Sequence, residues 1–335
     1  MMQTKPWTET RTENSQPLPT FIFTEAYNCG KITRIALESF HRHHDLKVHV
    51  FGTLQDFEDM GPVADHHNTV LELINAVDIQ AMYMEGHKGT AYVFALVLNF
   101  FSGTGAGVIH FDGDVFFKSE AVSLIEDFFK RGWDIVGSRR CYGNNPSGVP
   151  GLEAYPDTIS TYFTGIRIRE KIELPFEQFH RMCQGAESWK GIPVLDFFDP
   201  VTHYLLERGA QIDFISDYMI GGQDESGKKP KAIHPLNAHM DCGLKLIHFG
   251  GVGSGYAYNH GHSNPEKSYG QWALGRWALF AKVFYDENIV HMEDDKTVYL
   301  DGRWVSGTYD YAILEEVNWE VFMRGDYRQT MLGKF

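Results

Sequence analysis

The stretch Gly107-Val108-Ile109-His110-Phe111-Asp112-Gly113-Asp114-Val115-Phe116-Phe117 reads as an apolar strand ending in two carboxylates separated by one glycine. In an open α/β sheet, ligands bind at the carboxyl ends of the strands. Two hard oxygen ligands placed there can hold a divalent cation against the phosphates of a substrate. Asp-Gly is also a common turn dipeptide, so the pair by itself is equally well a solvated loop. The elements around it decide between the two readings.

Upstream, residues 1–19 are polar and end in Pro17 and Pro19, which reads as a flexible arm before a first strand at 20–24. After the turn Asn28-Cys29-Gly30, the residues Ile32, Ile35, Ala36 and Phe40 recur at helical spacing, and residues 46–52 alternate as a strand. The spacing of Val70, Ile74 and Val77 predicts a helix over 64–77, followed by a strand over 79–84. A third helix begins after His87-Lys88-Gly89 and buries Ala91, Phe94, Ala95, Leu98 and Phe101 in one stripe. It delivers the chain into the strand that carries the aspartates. A helix over 119–130 with Ser119 as its N-cap and a strand over 133–137 come next. This alternation predicts an α/β fold, a mostly parallel Rossmann-like sheet flanked by helices. No Gly-x-Gly-x-x-Gly follows the first strand, so the dinucleotide-binding version is excluded.

Downstream, residues 141–157 are rich in Gly, Pro and Asn and read as a surface loop or lid. In 193–209, Asp196 lies in an apolar run. Asp199-Pro200 then reads as N-cap and first helical residue, Val201, Tyr204 and Leu205 share a face, and Gly209 is the stop. A strand over 244–249 enters the glycine-rich run 250–255. The tail holds an aromatic helix over 272–285, a hairpin over 297–305 with Asp301-Gly302 at its turn, and a last helix over 311–324.

Of 335 residues, 43% are hydrophobic and 22% charged, the balance of a globular chain long enough for one large or two ordinary domains. No apolar run approaches the ~20 residues that span a bilayer, and the N-terminus lacks a signal-peptide core, so a soluble, cytoplasmic protein is expected. Cys29, Cys141, Cys183 and Cys242 are scattered without metal-ligand spacing and read as reduced, structural residues. Thirty basic against forty-four acidic residues give a formal charge of −14, which opposes nucleic acid unless a basic groove is locally segregated. The short basic clusters Lys228-Lys229-Lys231 and Arg139-Arg140 read as solvated faces.

Over about residues 20 to 255 the order of features resembles the GT-A fold of metal-dependent glycosyltransferases that use nucleotide sugars. The resemblance rests on the Asp112-Gly113-Asp114 (Asp-x-Asp) motif on its strand and the Lys88-Gly89 helix before it. Phe163-Thr164-Gly165-Ile166-Arg167 as a strand, the segment from Asp196 to Gly209, and His248-Phe249-Gly250-Gly251 complete it. It implies a nucleotide-sugar-binding half at 20–140, an acceptor-binding half of the same domain at 141–265 and a C-terminal helical extension at 266–335. It also implies transfer of a sugar, hexose or pentose, from a nucleoside-diphosphate sugar to an acceptor hydroxyl with Mn²⁺ or Mg²⁺. A glycan is the first acceptor class, with a protein side chain or a hydroxymethylated DNA base as others.

By that resemblance Asp112, Asp114 and His248 hold the metal, and Asp112 also touches the ribose or sugar. Thr24, Glu25 and Tyr27 are placed to contact base and ribose, Lys88 the diphosphate or sugar, and the backbone of Gly250 and Gly251 the diphosphate. Asp196 or Asp199 would be the general base that takes the acceptor's proton. Capping alone also accounts for Asp199, whereas a carboxylate in the apolar run at Asp196 needs a partner. His260-Gly261-His262 is a lower-ranked metal or acceptor site.

Three other classes compete. A phosphatase of the aspartyl-nucleophile type also uses Asp-x-Asp, but there the motif normally ends the first strand, whereas here it follows three βα steps. A sugar nucleotidyltransferase would need a glycine-rich basic loop after the first strand, and Asn28-Cys29-Gly30-Lys31 is poor in glycine. A non-catalytic carbohydrate- or nucleotide-binding module could use the abundant aromatics for stacking, but would bind nucleotide without needing metal.

Overall fold

The computed structural model describes residues 20–26, 29–74, 88–140, 157–185, 197–215, 241–242, 245–248, 290–294, 297–300 and 303–304. Its centre is a seven-stranded mixed sheet. The strands, in chain order, are β1 (Thr20–Glu25), β2 (Val48–Gly52), β3 (Thr69–Leu73), β4 (Gly107–Phe111), β6 (Ile135–Arg140), β7 (Thr158–Ile166) and β8 (Ile212–Phe214). They lie in the order β3-β2-β1-β4-β7-β6-β8. β1 to β4 are mutually parallel, β7 runs antiparallel to β4 and β6, and β8 is parallel to β6. The expected α/β class and mostly parallel sheet are therefore present. The single sheet draws strands from both sides of residue 141.

Side chains of successive strand residues point to opposite faces, and each face has its own core. Ile22, Ile109, Phe111 and Val136 pack on one side with Leu37 and Phe40 of α1 (Gly30–His43) and with Ile125 and Phe129 of a later helix, Val122–Lys130. Phe23, Val108 and Ile135 pack on the other with Phe94 and Leu98 of the helix Lys88–Phe101, Phe179 of Phe176–Cys183 and Val201 of Asp199–Leu206. In chain order these helices are α3 (Lys88–Phe101), α4 (Val122–Lys130), α5 (Phe176–Cys183) and α6 (Asp199–Leu206), with α2 (Leu54–Met60) before them. Each fully buried Phe contributes about 2–3 kcal/mol.

A second, antiparallel sheet joins β5 (Val115–Phe117), β10 (Leu246–His248) and β9 (Asp241–Cys242). The expected tail hairpin is present as β12 (Thr297–Leu300) against β13 (Arg303–Trp304), with β11 (Val290–Asp294) added on its other side. The strand expected at 79–84, the loop at 141–156, His260-Gly261-His262 and the tail helices at 272–285 and 311–324 lie outside the described residues.

Three local expectations are corrected. The helix expected over 64–77 is replaced by a 3-10 turn, Gly61–Asp65, and by β3, which pairs in parallel with β2 from Val48↔Thr69 to Gly52↔Leu73. The preceding helix is the short α2, which opens with a capping box: Asp56 N–H donates to Thr53 Oγ1 at 3.3 Å, and Thr53 N–H to Asp56 Oδ2 at 2.9 Å. Ser119 does not cap α4. His44, at the end of α1, does so from outside: its Nδ1–H donates to Phe40 O at 2.9 Å, which leaves Nε2 to accept from Ala121 N–H at 2.9 Å. At α6, Phe198 takes the N-cap place with φ 67°, and Asp199 is the first helical residue.

Acid should loosen the α1 end of the sheet. His41 stacks on His66 at 4.0 Å between ring centroids, and its Nε2 lies 2.9 Å from Thr69 Oγ1. Burial, with the neighbouring His66, His67 and His44, pulls its pKa from 6.5 down to about 4. The unfolded chain therefore takes up this proton first, so the stabilisation is complete above pH 6.5 and is lost as the pH falls toward 4. A fully buried ring with that gap would lose about 3 kcal/mol, and solvent at the open edge of His41 reduces this to about 2 kcal/mol. Urea midpoints measured from pH 7 to 4 should fall accordingly, and His41→Asn should flatten the slope.

Candidate metal centre

At the end of β4 the chain turns back at once. Asp112 N–H donates to Tyr162 O on β7 at 2.9 Å, and Val115 N–H donates to Asp112 O at 3.1 Å, closing a tight turn at the carboxyl edge of the parallel strands. β5 leaves this turn and pairs with β10 in a register that sets His248 opposite Val115. That register puts the imidazole beside both carboxylates. His248 Nε2 lies 3.4 Å from Asp114 Oδ1 and 3.5 Å from Asp112 Oδ2. One ligand atom from each of Asp112, Asp114 and His248 falls within 4.8 Å of the other two. The Tyr162 ring stacks flat on His248, at 4.3 Å and 10° between planes, and holds its orientation. Two carboxylates and one imidazole form a donor set that could hold a divalent cation.

Beneath this cluster lies a buried pair. His110 Nε2 is 2.7 Å from Glu25 Oε2, at the end of β1, and 3.7 Å from Asp112 Oδ1. Burial opposes a charge on His110, but the carboxylates of Glu25 and Asp112 outweigh it and hold the ring above its ordinary range. Burial pushes the Glu25 carboxyl up, against the lowering pull of His110. Burial would also raise Asp112, yet a hydrogen bond from His248 and the charges of His110, His248 and Arg140 leave it below the usual carboxylate range. Asp112 is thus ionised, the state in which a carboxylate can hold a metal ion.

The remaining site residues named from sequence are placed as follows. Thr24 and Glu25 are buried at the end of β1, Glu25 against His110. Lys88 is the first residue of α3. Tyr27, Asp196, Gly250 and Gly251 lie outside the described residues. Asp199 is fully buried, with Arg140 Nη1 at 3.4 Å from its Oδ1.

This last contact corrects the reading of Arg139-Arg140 as a solvated face. Arg140 ends β6 with a mostly buried side chain, paired with Asp199 and close enough to Asp112 to stabilise its charge. Arg139 lies over the Phe214 ring at 4.3 Å. A charge pair in sequence gives no sign of this, because the strand direction and the buried partner decide it.

A separate cleft of about 1030 Å³ opens at the opposite edge of the sheet, beside Asp134, Arg167, Arg169, Lys171 and Arg208. Its arginines are engaged. Arg169 Nε donates to Asp134 Oδ1 at 2.6 Å and Nη2 to Gly132 O at 2.7 Å, Arg167 Nη2 donates to Trp133 O at 2.8 Å, and Arg208 lies over the Tyr204 ring at 3.5 Å. These groups brace the cleft wall. Among the described residues no helix is long and apolar enough to cross a membrane.

No protein-family model matches the chain, and no curated protein matches it by sequence. Among solved structures it is similar to mouse xyloside xylosyltransferase 1 in its apo form, at 11% identity and a TM-score of 0.42, over 60% of this chain and 87% of that one. It is also similar to 4-diphosphocytidyl-2C-methyl-D-erythritolsynthase from Anaerococcus prevotii, at 10% identity and a TM-score of 0.37, over 65% of this chain and 94% of that one.

Proposed function

We propose that this chain is a GT-A-like glycosyltransferase that moves a sugar from a nucleoside-diphosphate sugar to an acceptor hydroxyl. The observation that carries this reading is the convergence of Asp112, Asp114 and His248 at the carboxyl edge of the sheet, each with a ligand atom within 4.8 Å of the others. These three residues would hold Mn²⁺ or Mg²⁺. A divalent cation bound there supplies Lewis-acid stabilisation of the negative charge that builds on the departing diphosphate.

The protein's own groups supply the rest. Arg140 adds a fixed positive charge beside Asp112, and its pairing with Asp199 holds it in place. In this reading Thr24 and Tyr27 border the base and ribose, Lys88 faces the diphosphate or sugar, and the backbone of Gly250 and Gly251 approaches the diphosphate. Asp196 takes the proton from the acceptor hydroxyl as its oxygen attacks the anomeric carbon, and the bond to the diphosphate oxygen breaks with its electron pair. Asp199, buried and paired with Arg140, serves as the positioning partner. A glycan is the preferred acceptor, since the net charge of −14 opposes nucleic acid.

The test is a panel of nucleotide sugars incubated with the full chain and Mn²⁺, following release of the nucleoside diphosphate. Release from one donor that stops with EDTA and returns with Mn²⁺ is expected. Release of pyrophosphate from a nucleoside triphosphate plus a sugar phosphate would overturn the reading in favour of nucleotidyl transfer. Nucleotide binding indifferent to metal, with no turnover, would overturn it in favour of a binding module.

A further inference from the structure

His110 is a polar ring where packing alone would be served by an apolar one. It is 1% exposed and lies between Phe23 and Phe94, with ring centroids 4.9 Å and 4.4 Å away. Burying an imidazole together with a carboxylate costs several kcal/mol in desolvation, so the pair calls for a role that phenylalanine and leucine could not fill.

Its geometry names one. Nδ1–H donates to Thr161 O on β7 at 2.8 Å, which fixes the ring plane. Nε2 then has a single direction, toward Glu25 Oε2 at 2.7 Å and Asp112 Oδ1 at 3.7 Å. The other oxygen of Asp112, Oδ2, faces His248 Nε2 at 3.5 Å. The two oxygens of one carboxylate are thus divided between a buried imidazole below and the ligand cluster above.

We propose that Glu25 and His110 are positioning residues for the metal centre: they hold Asp112 Oδ1 on the sheet side and thereby present Oδ2 to a divalent cation shared with Asp114 and His248. Glu25 acts through His110, fixing its Nε2 edge from the end of β1. This inference rests on the metal-centre reading above. Partners that orient a ligating carboxylate typically change metal affinity by about 10- to 100-fold when removed.

The experiment titrates Mn²⁺ alone into the full chain, reading free Mn²⁺ by electron paramagnetic resonance, alongside the thermal midpoint without metal. His110→Phe, which keeps the ring volume, should weaken Mn²⁺ binding by about 10- to 100-fold. His110→Gln, whose amide can reach the position of Nε2, should recover part of that loss. Glu25→Gln is nearly isosteric and guards against a variant that fails to fold. It should weaken Mn²⁺ by about tenfold with a thermal midpoint close to that of the parent. A parent chain that binds Mn²⁺, with Glu25→Gln and His110→Phe binding it equally well, overturns the positioning role and leaves the metal centre standing. A lowered midpoint with unchanged Mn²⁺ affinity also overturns it, since the pair would then serve folding alone. A parent chain that binds no Mn²⁺ overturns the metal-centre reading itself.

Discussion

Asp114→Ala should remove Mn²⁺ binding and sugar transfer together while leaving the chain folded. The Asp114 side chain is 9% exposed and faces His248 Nε2 at 3.4 Å, so truncation deletes one of the three groups that converge there. Charge stabilisation at a leaving diphosphate is worth about 3–4 kcal/mol per group in a preorganised site, so turnover should fall by about 10²–10³-fold. Stability should change little, because the variant also removes a carboxylate from beside Asp112, and the lost like-charge repulsion offsets the lost contact with His248. Asp114 is a cleaner target than Asp112, whose backbone and side chain are tied to Tyr162 and His110. A folded Asp114→Ala chain with full Mn²⁺-dependent turnover would falsify the assignment.

The parts of this site that the sequence makes legible are those whose signal is local. The strand Gly107–Phe111 is a run of apolar residues that stops at a polar motif, and His248 stands at the end of another such run. Both can be read because burial on two faces selects apolar residues continuously and the strand ends abruptly. The Glu25–His110 pair has no such signal, since its members are 85 residues apart and meet only because β1 lies beside β4. Arg140 is misread for the same reason. Its charge points to solvent until β6 is placed at the carboxyl edge and the buried Asp199 is set against it.

The misplaced helix over 64–77 has a different cause. Val70 and Ile74 are four residues apart, a spacing shared by one helical face and one strand face, and the β-branched Thr69 and Val70 pair with β2. The real helix, Leu54–Met60, is too short for a periodicity to emerge, and only the Thr53–Asp56 capping box marks it. The cap of α4 comes from His44, 77 residues before Ala121, so no local pattern could name it.

Gly113→Ala should cost both stability and activity, and for a steric reason. Asp-Gly-Asp suggests a glycine chosen for a turn, but the constraint is space. A β-carbon at Gly113 would lie 2.5 Å from Thr33 Oγ1 on α1 and 3.1 Å from the backbone carbonyl oxygen of Glu25. Overpacking of this kind costs about 1–3 kcal/mol. The turn would relieve it by lifting away from α1, carrying Asp112 and Asp114 with it. A displacement of about 1 Å in a catalytic constellation costs about 10²-fold in rate, so turnover should fall by that factor even in the folded fraction. The account has an internal check. Thr33→Ala removes Oγ1 and leaves a β-carbon 3.5 Å from the new methyl group, an ordinary contact. The double variant Gly113→Ala with Thr33→Ala should therefore be more stable than the sum of the single effects by about 1–2 kcal/mol. It should stay below the parent, because the Glu25 carbonyl remains close and the hydrogen bond from Thr33 Oγ1 to that carbonyl is gone. Additive single effects in urea denaturation would show that the glycine serves the turn's backbone instead of its packing against α1.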